Sequence, residues 1–207
     1  MSTPLPKTVA ASETRRSILD QASQLLAESG PDALSMRKLS QRIGASTIVL
    51  YTHFRDKQAI LDELYIEGFE RLRADLARVP RHADPMQQVM ALGRAYHASA
   101  VANPTYYQLM FTRCVPGFDP APRSREVSKQ AFLMLVAGVR RCMDEGAIPA
   151  GDAAQVAHVL WGTLHGLISL ELFGYAPGSH SAESRLELAM QVIREGMRHP
   201  DPAESGR

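Results

Sequence analysis

Apolar residues recur along this chain with the period of an α-helix rather than the period of a strand. The first run predicts a helix that ends at Gly30-Pro31, and its apolar face contains Ile18, Leu19, Ala22, Leu25 and Leu26. A second, shorter helix is predicted between Ser35, which can cap its N-terminus, and Gly44, which can end it. The pattern at the start of the chain is therefore helical.

Residues 47–54 give conflicting signals. They are rich in β-branched and aromatic side chains, which favour a strand. Ser46 can cap a helix, however, and Leu50 and Phe54 are four residues apart, which places them on one helical face. We interpret the segment as a helix. Together with the preceding helix and the short turn at Gly44, it forms a helix-turn-helix, in which the second helix can enter a DNA groove.

Six further helices are predicted from cap residues, prolines and glycines. The signals that mark their beginnings are at Asp56, Asp84-Pro85, Asn103-Pro104, Arg125, Asp152 and Ser181. Residues 131–139 are apolar on every side of their helix, which predicts that this helix is buried. Since no segment has a convincing strand pattern, we predict an all-α fold of about nine helices.

Composition and charge exclude several classes of protein. The chain of 207 residues has 23 Lys and Arg against 22 Asp and Glu, and its net charge of +1 excludes a uniformly basic nucleic-acid coat. Its longest apolar stretch, residues 131–139, is far shorter than the roughly 20 residues that span a bilayer. Cys114 and Cys142 have no zinc-site spacing, and residues 1–12 lack the apolar segment of a signal peptide. We therefore expect a cytoplasmic protein that has no membrane partner.

The helix-turn-helix carries side chains that suit DNA. Hydroxyl, phenol and imidazole groups can bond to bases or phosphates, and an aliphatic group can contact a thymine methyl; these groups belong to Thr47, Thr52, Tyr51, His53 and Ile48. Lys57 lies in the first turn of the next helix, where a cation opposes the helix dipole. A phosphate at that N-terminus would attract it. Residues 1–60 also hold eight basic and five acidic residues, whereas the remainder holds 15 and 17.

The C-terminal half offers three further candidate features. Gly162 and Gly166 are four residues apart beside apolar neighbours, and leave a flat patch for a second helix, either from another subunit or from the same chain. His158 and His165 share a helical face, but no Asp, Glu or Cys joins them at metal-ligand spacing, so we predict no metal. Aromatic and thioether side chains can line a pocket for an apolar ligand, or can simply be core; we select Tyr96, Tyr107, Met110, Phe132, Trp161 and His165 as ligand-binding candidates.

Residues 14–65 resemble the DNA-binding domain of TetR-type transcriptional regulators. The resemblance rests on an arginine ahead of Ile18-Leu19, Ala22, Gly30, Ser35-Met36-Arg37-Lys38-Leu39-Ser40, Gly44, Ser46, Leu50-Tyr51, Phe54, Lys57 and Leu61. The spacing Leu-Tyr-x-x-Phe-x-x-Lys is specific to the family. The stretch Trp161-Gly162-Thr163-Leu164-His165-Gly166 resembles a Trp…His-Gly signature of one subgroup of the family's C-terminal domains. Ile48 and Val49 depart from the small or hydroxyl residues that are frequent at those positions.

The resemblance implies roles for individual residues. Ser35, Arg37, Tyr51 and Lys57 would contact phosphates, and Thr47, Ile48, Thr52 and His53 would face bases. The last two helices would form a dimeric four-helix bundle, and we assign to this interface Leu160, Gly162, Gly166, Leu167, Leu170, Met190 and Ile193. A homodimer would place two recognition helices about 34–36 Å apart on a pseudo-palindromic operator in double-stranded DNA.

The expected function is that of a transcriptional regulator, a repressor released from its operator by a small apolar or aromatic effector. It needs no cofactor and is not an enzyme, since the sequence contains no GxSxG, HExxH or glycine-rich phosphate loop. Two alternatives stay open: a DNA-binding dimer of the same fold without an effector, and a helical small-molecule-binding protein or enzyme. We predict flexible tails at 1–12 and 201–207, a DNA-binding domain at 13–60, and an effector-binding and dimerisation domain at 61–200.

Overall fold

The computed structural model describes residues 7–30, 34–112, 114–175 and 181–197. Over these residues the chain forms nine α-helices and no strand, which confirms the predicted all-α fold. The helices are α1 (Lys7–Ser29), α2 (Met36–Ile43), α3 (Thr47–His53), α4 (Lys57–Ala77), α5 (Pro85–Ala102), α6 (Pro104–Phe111), α7 (Pro122–Asp144), α8 (Ala153–Leu172) and α9 (Ala182–Met197). Within the described ranges, no helix is long and apolar enough to cross a membrane.

The chain divides into two compact units. The first contains Met1–Phe69 and Thr105–Val127, and the second contains Glu70–Pro104 and Ser128–Arg207. Helices α4 and α7 contribute several residues to each unit, and α6 contributes its first residue, Pro104, to the second unit and its other residues to the first. The boundary that we predicted between residues 60 and 61 lies within the first turns of α4, because this helix continues unbroken from Lys57 to Ala77.

The core of the first unit is built from α1 to α4, α6 and the segment after α6. Leu39 of α2 and Leu50 of α3 are fully buried in it, as is Ala22 of α1. These small and branched apolar side chains sit at the helical positions that the sequence pattern identified. The helix-turn-helix is therefore held by an apolar core under its inner face.

In the second unit, α5, α8 and α9 pack against one another in all three pairs. Gly93 of α5 permits this packing: a Cβ atom there would lie 2.9 Å from Cε of Met190 and 3.0 Å from Cδ1 of Leu164. The buried face of α8 consists of Ala153, Ala157, Leu160, Leu164 and Ile168, at helical spacing. Through this face, α8 contributes to the apolar core of the second unit.

Most predicted helix ends are confirmed, and one predicted cap lacks its side-chain hydrogen bond. Ser35 accepts a hydrogen bond from the Lys38 amide at 3.2 Å, and Asp84 and Asp152 accept bonds from the first amides of α5 and α8. Gly44 ends α2 with a φ of 66°, a conformation that glycine adopts without strain. Ser46 has the extended backbone of a cap, but its side chain makes no capping hydrogen bond.

Two other predictions need correction. Residues 7–12 of the predicted tail belong to α1, because no proline or glycine interrupts the helix before Gly30; residues 1–6 and 201–207 lie outside the described residues. The stretch 131–139 of α7 is not buried on every side. Ala131 and Val139 are buried, whereas Leu133 is 41% exposed, so the apolar pattern overstated how many of its faces have a partner within the chain.

Candidate nucleic-acid interface and ring cluster

Helix α3 buries one side and exposes the other. Leu50 lies in the core, whereas Ile48 and Tyr51 are 73% and 55% exposed. Thr52 is also exposed, and Thr47 and His53 are half-buried. The residues predicted to face bases therefore lie on, or at the edge of, the outer surface of this helix. Large apolar and aromatic groups that remain in solvent at such a site suit a partner surface.

The hydroxyl groups near this surface can form further hydrogen bonds in addition to those within the protein. The Thr52 hydroxyl donates to the Val49 carbonyl at 2.7 Å, which leaves its oxygen lone pairs as acceptors. At the start of α2, Ser35 uses its oxygen to accept from Lys38, so its hydroxyl proton remains available to a phosphate. Arg37 and Lys38 follow it and are exposed. Lys38 belongs to the motif that carries the family resemblance but was not among the predicted DNA contacts.

The side chain of Asp56 places a negative charge at the N-terminus of α4. The Asp56 carboxylate accepts from the Ala59 amide and from Nε of Arg55, both at 2.9 Å. The amide bond first, and the Arg55 contact second, lower the pKa of Asp56. The dipole argument that a phosphate must attract Lys57 is therefore incomplete, because this carboxylate also offsets a cation in the first turn. Lys57 is half-buried at that turn.

Arg15 of α1 adds a contact that the sequence reasoning missed. Its guanidinium donates to the carbonyl oxygen of His53 at 2.8 Å, across 38 positions of sequence. The available signal was the position of Arg15, one helical turn before the buried Ile18, where the family resemblance also includes an arginine. Such a signal does not identify a partner.

The six predicted ligand-binding residues are divided between the two compact units. Tyr107 and Met110 belong to α6 in the first unit, where Tyr107 is 2% exposed and its ring lies 5.1 Å from that of Phe111. A Cβ atom on Gly68 would come within 2.6 Å of the Met110 sulfur, so Met110 packs closely on α4. These two side chains contribute to the packing of the first unit.

The other four form a ring cluster in the second unit: Tyr96, Phe132, Trp161 and His165, with His158 beside them. The ring centre of Phe132 lies 6.1 Å from that of Trp161 and 4.2 Å from that of His158. Nε1 of Trp161 donates to the Tyr96 hydroxyl at 3.2 Å, and this hydroxyl lies 3.1 Å from Nδ1 of His165. The cluster thus combines tilted ring contacts with a short chain of polar groups.

Burial lowers the pKa of His165, which keeps its imidazole neutral at neutral pH. Nearby, Nε2 of His97 lies 2.8 Å from a Glu171 carboxylate oxygen, which joins α5 to α8 a second time. Among the described residues, no group of three His, Cys, Asp or Glu side chains could hold a metal ion. The chemistry that this cluster offers is ring stacking and hydrogen bonding.

Comparison with known proteins identifies the family. The model described as "Tetracyclin repressor-like, C-terminal domain" matches residues 89–194, which is more than half of the chain. The chain belongs to the TetR family. The model "Bacterial regulatory proteins, tetR family" matches residues 18–64, the segment that contains α2, α3 and the first turns of α4.

Individual relatives of this TetR-family chain differ in how much of it they match. Tetracycline repressor protein class D from Escherichia coli is 45% identical over 57 residues, which cover 28% of this chain and 26% of that protein. This chain thus spans only about a quarter of the length of the first curated relatives that it matches. The regulator Rv1816 from Mycobacterium tuberculosis is 25% identical over 186 residues, covering 76% and 80% of the two chains. A structure from Rhodococcus sp. RHA1, described as a protein with unknown function, is 31% identical over 89% of this chain and 95% of its own, with a TM-score of 0.79.

The TetR-family C-terminal unit exposes an apolar stripe, which we call the α8/α9 stripe. On α8 it contains Val159, Gly162, Gly166, Leu170 and Phe173 at the helix end, and on α9 it contains Leu188, Val192 and Gly196. A Cβ atom on any of these three glycines would meet nothing within 4 Å. The stripe is therefore open surface in the single chain.

The predicted interface residues divide between this stripe and the interior. Gly162, Gly166 and Leu170 are exposed, and Leu167 and Ile193 are half-buried. Leu160 and Met190, by contrast, are only 5% and 3% exposed, since they pack within the unit. Leu160 and Met190 lie on the inner faces of α8 and α9, and leave almost no surface for another subunit.

A pH dependence of stability follows from the burial of His165. Its pKa in the folded protein is lowered from the ordinary 6.5, so below that pH the unfolded chain takes up a proton more readily. Stability should fall as the pH decreases from about 6.5 towards the lowered pKa. A His165→Asn variant cannot titrate and should lose less stability over this window. Urea unfolding of both proteins at about pH 8 and about pH 5.5 measures the difference. Parallel losses in the two proteins would contradict the assignment to His165.

Proposed function

We propose that this protein is a sequence-specific, DNA-binding transcriptional regulator that acts as a homodimer. The observation that carries the proposal is the exposure of Ile48, Tyr51 and Thr52 on α3, while Leu50 of the same helix is anchored in the core. Helix α3 is the second helix of the helix-turn-helix, and in this motif that helix lies in the major groove. The family match to residues 18–64 supports the same role.

The roles of the individual side chains follow from their chemistry and position. The Ile48 side chain can contact a thymine methyl, and the Thr52 oxygen can accept from a base amino group. Ser35 and Arg37 at the start of α2, with Tyr51 and Lys57, can donate to phosphates. Such phosphate contacts set the register of the helix on the duplex but carry no sequence information. Thr47 and His53 at the two ends of α3 would complete the surface that faces the bases.

Selection of random duplex DNA on the purified protein tests this function. We expect recovery of an inverted repeat whose half-sites are centred about 10 base pairs, or a multiple of that, apart, because two subunits related by twofold symmetry face successive grooves. An Ile48→Ala, Thr52→Ala variant is the control, and should recover a less defined sequence. Unselective recovery by the unmodified protein would overturn the proposal.

The phosphate role of Lys57 has its own test. Lys57→Ala should weaken binding to every duplex and reduce the slope of log affinity against log salt by about one per subunit, because one fewer counterion is released. The matched control is Lys129→Ala, an exposed lysine on the part of α7 that belongs to the second unit. Titrations of a fluorescent operator at several salt concentrations measure both slopes. An unchanged slope for Lys57→Ala would remove this residue from the interface.

We propose that the α8/α9 stripe forms the homodimer contact. Four apolar side chains of the stripe are 47–64% exposed: Val159, Leu170, Leu188 and Val192. Apolar surface in water costs free energy, and contact with the same surface of a second subunit would remove this cost. The glycines between them let two helix backbones approach closely. A twofold arrangement of α8 and α9 yields four helices around one apolar centre.

The dimer contact predicts a charge-sensitive assembly. Val192→Glu should shift the protein from dimer to monomer, because two carboxylates would be buried near the twofold axis without partners. Val101→Glu is the matched control: Val101 of α5 is also exposed, at 43%, but lies outside the stripe. Sedimentation of the three proteins over a range of concentrations measures the effect. A Val192→Glu protein that dimerises like the control would place the contact elsewhere.

We further propose that a small apolar or aromatic effector binds at the ring cluster and releases the operator. The faces of Phe132 and Trp161 suit an aromatic group, and Tyr96 and His165 can bond to one polar substituent. A neutral His165 favours an uncharged ligand over a cation that would need a carboxylate partner. Release requires the effector to bind more tightly to a conformer whose recognition helices have the wrong spacing.

A further inference from the structure

We propose that Arg15 is a positioning residue for DNA recognition, which holds the C-terminal end of α3 in place without reading the sequence itself. The inference rests on the proposed function, since it concerns how the recognition helix is oriented. Three contacts of one guanidinium carry it, and all of them lie within the first compact unit.

The first contact is with the end of the recognition helix. Nη1 of Arg15 donates to the carbonyl oxygen of His53, the last residue of α3, at 2.8 Å. The last carbonyls of a helix have no partner within it and carry the negative end of its dipole. A guanidinium at this position satisfies one of these carbonyls, and its positive charge interacts favourably with the negative end of the dipole.

The other two contacts fix the guanidinium itself. Nη2 lies 2.8 Å from Oε1 of Glu63 on α4, and the central carbon lies 4.2 Å from the ring centre of Phe54. Phe54 is 2% exposed and directly follows α3. A planar fork can donate in two directions while its face rests on an aromatic ring, whereas a lysine ammonium provides only a point charge. Arg15 thus joins α1, α4 and the end of α3.

Helix α3 needs such a contact because its own stabilisation is weak. It has seven residues, fewer than an isolated helix requires, and several of them are β-branched. Ser46 makes no side-chain bond at its N-terminus, and Leu50 is its buried anchor. One anchor in mid-helix fixes the depth of the helix but controls rotation and tilt poorly, so the end contact determines where Thr52 and His53 lie.

The expected consequence concerns specificity more than stability. The Arg15 and Glu63 side chains are 38% and 29% exposed, and ion pairs with such access to solvent contribute little to folding. A binding surface, in contrast, must be held within about 0.5 Å to match its partner. Loss of Arg15 should therefore reduce discrimination between DNA sequences while the domain stays folded.

Arg42 provides a matched control. It makes a two-pronged contact with Glu28, with both distances 2.6 Å, and also bonds to Gln21 and Gln24. These partners are all on α1, so this arginine connects α2 to α1 and makes no hydrogen bond to α3. Arg42→Ala removes the same charge and the same type of ion pair from the same unit.

The experiment compares Arg15→Ala with Arg42→Ala by two measurements. In the free protein, amide hydrogen exchange at residues 51–54 should become about tenfold faster in Arg15→Ala and change less than about twofold in Arg42→Ala. The affinity ratio between the selected operator and a random duplex of equal length should fall about tenfold in Arg15→Ala and by less than about twofold in Arg42→Ala. The ratio cancels the nonspecific effect of one lost positive charge.

Arg15→Lys distinguishes charge from geometry. It should recover the wild-type affinity for random DNA but not the operator ratio, and it also serves if Arg15→Ala fails to fold. Equal ratios in the Arg15 and Arg42 variants, unchanged exchange at residues 51–54, or full recovery by lysine would each overturn the inference. An unmodified protein with no preferred sequence would instead overturn the proposed function, and the exchange measurement would then decide alone whether Arg15 holds α3.

Discussion

The burial of one face of a seven-residue helix is the constraint on which the proposed DNA interface depends. Helix α3 is too short to persist by its own hydrogen bonds, so it exists because Leu50 enters the core beneath it. The same burial leaves Ile48 and Tyr51 outside. On such a helix, a side chain that is buried in the core cannot also contact DNA. The buried side chains therefore stabilise the fold, and the exposed ones are available for recognition.

Helix α8 solves a related problem with two apolar faces. Leu160 and Leu164 pack inward, whereas Val159 and Leu170 remain in solvent. A helix that buried both faces within one chain would need partners on both sides, whereas the neighbours of α8 leave Val159 and Leu170 exposed. The outer face therefore costs free energy until a second surface covers it, which links the proposed assembly to the sequence of a single helix.

Local features of this fold could be predicted from the sequence, and distant contacts could not. The caps at Ser35 and Asp84 depend on amides two or three residues away, so a short window of sequence contains both partners. The Arg15 contact joins residues 38 positions apart. The predicted ligand-binding residues show the same limit: Tyr107 and Tyr96 have equally suitable side chains, and residue type does not indicate that they belong to different compact units. The sequence indicated which side chains have suitable chemistry, but it did not indicate which residues they contact in the fold.

The error at α7 shows why apolar composition alone does not give burial. A helix that is apolar on every side predicts complete burial only if the chain provides enough neighbouring surface. Ala131 and Val139 find that surface, and Leu133 does not. In a protein that assembles from several chains, some apolar residues contact another subunit. The sequence of one chain does not distinguish these residues from core residues, so its apolar pattern predicts too many buried positions. Leu133 and the α8/α9 stripe are therefore the same kind of evidence, since both mark apolar surface that this chain does not cover by itself.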